Sequence, residues 1–87
     1  MRIYIKSHEL VEQVVEGEIV VLDKASGLIH QLNSTAGTIW KACDGKADAD
    51  NIAAQIAKQY DIDIESAKAD VETTLKQLEQ QKLVQII

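Results

Sequence analysis

Reactive side chains are few in this chain: His8 and His30, Cys43, the aspartate pairs Asp48/Asp50 and Asp61/Asp63, and the hydroxyls of Ser34, Thr35 and Thr38. Neither histidine stands in an H-x-x-x-H or C-x-x-C spacing that would hold a metal. Cys43 has no base near it in sequence to draw off its proton and no second cysteine to pair with, so it reads as a small buried hydrophobe. The aspartates fall where helices begin and suit capping better than acid–base work. With no Ser-His-Asp constellation, the hydroxyls are caps or surface groups. The glycines occur singly and build no phosphate-cradling loop. The sequence therefore offers no catalytic, metal or cofactor site, and His30 reads as a half-buried packing residue or a partner contact.

The elements that position these residues are organised around the stretch from His30 to Gly45. Leu28, His30 and Leu32 alternate with Ile29 and Gln31, which predicts a strand. Asn33-Ser34-Thr35 then supplies capping oxygens, and Ala36, Ile39, Trp40 and Cys43 recur at helical spacing over a helix from Ser34 to Ala42. Gly45 reads as the stop after that helix. Trp40, the only tryptophan in a chain without phenylalanine, is the expected centre of the core. Gly37 inside the helix costs about 1 kcal/mol relative to alanine, and close packing against the sheet is the favoured reason for it.

Upstream, Leu10–Val15 and Ile19–Leu22 are β-branched runs joined through Glu16-Gly17, a hairpin signal. Asp23 to Gly27 forms a turn into the Leu28–Leu32 strand, giving a three-stranded antiparallel meander. Downstream, Asp48 caps a helix to about Tyr60, and Asp63 caps a longer one to about Gln81, with Ile64, Ala67, Val71, Leu75 or Thr74, and Leu78 on one side. Leu83 to Ile87 is apolar enough to dock back on the core. Residues 1–9 form an arm that frays, pairs with the sheet edge or exchanges with a second copy; residues 10–87 form one domain. The fold class is α+β, a three-stranded sheet followed by three helices.

Eighty-seven residues with 46% hydrophobic content suffice for one small domain. No run reaches membrane-spanning length and no secretory signal opens the chain, so the expected compartment is the cytoplasm and no membrane partner is expected. A net charge of -5, from 14 acidic against 9 basic residues, opposes binding to nucleic acid. One geometric feature remains. Leu28-Ile29-His30-Gln31-Leu32 contains no proline, lysine or glutamate to blunt a sheet edge. Either another element, such as the arm, covers it, or it is a site for an added peptide strand.

Val20-Val21-Leu22-Asp23 through Gly27, Gln31-Leu32-Asn33-Ser34-Thr35-Ala36, Ile39-Trp40 and Cys43-Asp44-Gly45 together resemble the PqqD family, whose fold is the prototype of the RiPP recognition element. The resemblance runs from about Glu9 to Leu83. It implies a winged-helix-like, non-catalytic domain without cofactor. Such domains bind the leader segment of a ribosomally made precursor peptide. They present it to a separate modifying enzyme, often a radical S-adenosylmethionine protein, or to a leader peptidase in lasso-peptide systems. By position, the resemblance puts the peptide against Leu28, Ile29, His30, Gln31 and Leu32, with Asp70, Val71, Thr74 and Leu78 on the helix side. The chain lacks the Tyr-Pro-Glu-Gly turn of quinone-cofactor members, which favours service to another peptide. Two other readings compete: a winged-helix DNA-binding protein, disfavoured by the acidic third helix, and a strand-exchanged homodimer occupying the same edge.

Overall fold

The computed structural model describes residues 2–87. Its strands are β1 (Ile3–Lys6), β2 (Leu10–Val15), β3 (Glu18–Asp23), β4 (Leu28–Leu32), β5 (Asp44–Asp48) and β6 (Val84–Ile86). Its helices are α1 (Ser34–Ala42), α2 (Ala49–Tyr60) and α3 (Ile64–Gln80). They build two three-stranded sheets, ordered β2-β3-β4 and β5-β1-β6, with all pairings antiparallel.

Local chemistry accounts for most boundaries. Glu16 and Gly17 both take positive φ (52° and 82°), the mirror-image turn whose twist matches a tight hairpin. Asp23 closes the next turn twice over: its carbonyl accepts from Gly27 N–H at 2.8 Å and its Oδ1 from Ala25 N–H at 3.0 Å. Each helix has its side-chain cap. Asn33 Oδ1 accepts from Ala36 N–H at 2.8 Å, Asp48 and Asn51 form a reciprocal capping box, and Asp63 Oδ2 accepts from Glu65 and Ser66 N–H.

The core is shared by all three helices and both sheets. Ile39, Trp40 and Cys43 of the α1 segment meet Ile52, Ala53 and Ile56 of α2, with Ala67, Val71, Leu75 and Leu78 of α3. Gly37 is where α1 comes down on the first sheet: a Cβ there would lie 3.0 Å from Ile19 Cδ1. The close-packing expectation for this glycine therefore holds. Trp40 is 2% exposed and donates its indole N–H to the Leu83 carbonyl at 3.2 Å, and the Lys6 ammonium stands 5.2 Å from its ring centroid.

The second sheet is the main departure from expectation. Residues 3–6 are its middle strand, paired on both sides, so the arm neither frays nor covers the meander edge. Tyr4, not the flanking isoleucines, is the buried residue, at 7% exposure. Gly45 does not stop α1, because Cys43 caps that helix and donates its N–H to the Trp40 carbonyl at 3.1 Å. Gly45 instead lies within β5 at φ 83°, where the β1–β5 register shifts and Ile5 Cδ1 would be 3.1 Å from an added Cβ. The predicted docking of the carboxyl-terminal segment is realised as β6.

Candidate functional site

The free edge of β4 follows from the first hairpin. A two-residue mirror turn makes the flanking Val15 and Glu18 a hydrogen-bonded pair. Main-chain groups along a strand face alternate sides, so residues 18, 20 and 22 bond to β2 while 19, 21 and 23 bond to β4. The register Ile19↔Leu32, Val21↔His30, Asp23↔Leu28 then turns the N–H and C=O groups of residues 28, 30 and 32 inward. Ile29 and Gln31 direct theirs at the open edge. Among the described residues no strand but β3 pairs with β4.

Side chains alternate across the sheet in the same way. Leu28, His30 and Leu32 share the helix-facing side with Ile19 and Val21. Leu32 is buried, His30 is half-buried and Leu28 is 58% exposed, so this side grades from core to solvent along the strand. Ile29, 69% exposed, and Gln31 point to the outer side, where Gln31 Nε2 donates to Glu18 Oε1 at 2.7 Å. The other sheet edge, β2, is differently made. Leu10, Glu12 and Val14 turn their main-chain groups to that edge and their side chains to the helix-facing side, and the Glu12 carboxylate lies 3.6 Å from Lys41 Nζ of α1.

Of the helix-side residues, Asp70 is exposed and Thr74 half-buried, whereas Val71 and Leu78 are core. The last two are too deeply buried to meet a ligand directly. His30 carries a feature that sequence could not show: its Nε2 is buried and has no hydrogen-bond partner among the described residues. His8 is exposed on the link between β1 and β2. Among the described residues no cluster of histidine, cysteine and carboxylate side chains has the makings of a metal site. Cys43 is buried, and loss of hydration pushes its thiol up to about 11, outweighing the opposing pull of Lys6. Such a thiol is no nucleophile at neutral pH.

A family model described as Coenzyme PQQ synthesis protein D (PqqD) matches residues 18–84, which contain both the β3–β4 edge and all three helices. The chain belongs to the PqqD family. Two solved structures share the fold of this PqqD-family domain. One is TbiB1 in complex with the TbiA(beta) leader peptide, 21% identical, with a TM-score of 0.82 over 93% of this chain and 94% of that one. The other is lasso peptide synthetase B1 complexed with the leader peptide, again 21% identical with a TM-score of 0.82, over 94% and 96% of the two chains. No curated protein matches the sequence. Among the described residues no helix is long and apolar enough to cross a membrane.

Proposed function

We propose that this domain is a non-catalytic adaptor that binds the leader segment of a ribosomally made precursor peptide as an added strand on β4. The peptide is then presented to a separate modifying enzyme or leader peptidase. The observation that carries this reading is the pair of unsatisfied main-chain sites at Ile29 and Gln31, on an edge without a charged residue. An extended peptide satisfies those groups by hydrogen bonds that do not depend on its sequence, and its alternate side chains meet Leu28 and His30 on the helix-facing side. The family resemblance adds α3 as the second side of the site, where Asp70 is exposed and Thr74 half-buried and can meet the peptide, while Val71 and Leu78 are buried and support them. The two relatives of the same fold, each solved with a leader peptide, support this choice of ligand over a second copy of the chain.

The charge of α3 supports a peptide over DNA. Its solvent side carries Glu65, Asp70, Glu72 and Glu79 against Lys68 and Lys76. The departure from the quinone-cofactor turn supports a modified-peptide pathway other than pyrroloquinoline quinone. The test is a titration of the domain with the leader of a short precursor peptide encoded beside it, followed by amide NMR. Saturable shifts at Leu28 to Leu32 and around Thr74 are expected. A folded domain whose shifts centre elsewhere would refute strand addition at β4. A dimer whose β4 amides are already protected without peptide would put a second copy on the edge.

A further inference from the structure

We propose that His30 is a specificity-determining residue whose imidazole hydrogen-bonds a neutral hydroxyl or carboxamide side chain of the bound leader. The inference rests on the adaptor reading and names what that site selects. Its starting point is an unsatisfied atom. His30 Nε2 is buried without a partner, in a chain where only one other buried side-chain polar atom among the described residues, Ser7 Oγ, is left so. Buried polar groups are almost always paired, and one left unpaired destabilises the fold. In either neutral tautomer the atom lacks something: an acceptor if it carries the proton, a donor if it does not. The inward neighbour is no help, since Val21 opposite is an apolar, fully buried side chain.

The position explains how the missing partner would arrive. His30 sits midway along an edge strand, flanked by Ile29 and Gln31, whose main-chain groups face the open side. Its main chain is tied to β3, but its ring lies at the border between Leu32, which is buried, and Leu28, which is exposed. A strand added to β4 sets one of its side chains opposite His30 on the same side of the sheet, where it covers the imidazole and supplies the missing partner. A hydroxyl or carboxamide satisfies either tautomer because each both donates and accepts. A purely apolar side chain there would seal off the imidazole and leave it unpaired, so the same atom rejects the wrong residue.

This arrangement separates stability from binding, and the test uses that separation. His30→Leu removes the unpaired nitrogen, so the free domain is expected to melt about 4 °C or more higher. Its affinity for the leader of the precursor peptide encoded beside it should fall about tenfold or more. His30→Gln keeps a hydrogen-bonding group and should retain most of the affinity. Alanine replacement of each hydroxyl- or amide-bearing leader residue should identify one position whose loss costs wild type dearly and His30→Leu nothing. His30→Leu with a raised melting temperature and unchanged affinity would overturn the inference and leave the adaptor reading standing. A lowered melting temperature would show a packing histidine and overturn it as well. If wild type binds no leader while His30→Leu still gains stability, the adaptor reading itself fails, and the inference with it.

Discussion

The Cys43 thiol donates to the Ile39 carbonyl at 3.4 Å inside the core, and its pKa is raised from 9.0 to about 11, chiefly by burial. In the unfolded chain the proton is lost near the ordinary value, whereas the native fold holds it to about 11. Above pH 9 the unfolded state therefore binds fewer protons than the native one, and stability falls as pH rises across that interval. Denaturant melts at pH 8 and pH 10.5 are expected to show this loss, and Cys43→Ala should flatten it. Alkylation of native protein at pH 8 should in turn be far slower than after unfolding. At this scale the sequence was informative wherever a residue has one dominant physical use. Cys43 on an apolar helical stripe read as core, and Gly37 read as a contact point. The orphaned Nε2 of His30 was not legible, because an unpaired atom is a property of what surrounds it.

β4 is defined by alternation, and proline reads that alternation directly. At Ile29 or Gln31, proline removes an N–H that faces the open edge, so each variant should stay folded while leader binding is lost. At His30 it removes a bond of the β3–β4 ladder, and the meander itself should be weakened. Circular dichroism melts and leader titrations on the three variants check both halves; folded Ile29→Pro and Gln31→Pro proteins that bind normally would refute the edge site. The strands and helices built from local signals were legible: a mirror turn at Glu16-Gly17, caps at Asn33, Asp48 and Asp63, and apolar stripes on α1, α2 and α3. β5 was not. Asp44-Gly45-Lys46-Ala47-Asp48 has no β-branched residue and no alternation, and it becomes a strand only because β1 lies beside it. On α3 the helical period separated buried Val71 and Leu78 from exposed Asp70, but it could not say which helix residues a ligand meets.

Across the whole molecule, β1 joins segments that no local signal connects. Lys6 N–H donates to the Cys43 carbonyl at 3.2 Å, Ser7 N–H to the Leu83 carbonyl at 3.0 Å, and Lys6 Nζ to the Lys41 carbonyl at the end of α1 at 3.1 Å. A variant lacking residues 2–7 would leave β5 and β6 without their shared partner and the indole of Trp40 without its cation. Its loss of Tyr4 alone is expected to cost about 2 kcal/mol or more, and the melting temperature should drop by about 10 °C or more. Thermal melts of the full and shortened chains check this, and equal melting would show that the second sheet contributes nothing. The same pairing favours an order in time. The β2-β3-β4 meander closes through two short turns, but Tyr4 meets Ile86 only after nearly the entire chain has been threaded into place. Closing so long a loop costs about 2.5 kcal/mol more than joining strands a few residues apart. The meander that bears the β4 edge is therefore expected to assemble before the second sheet closes.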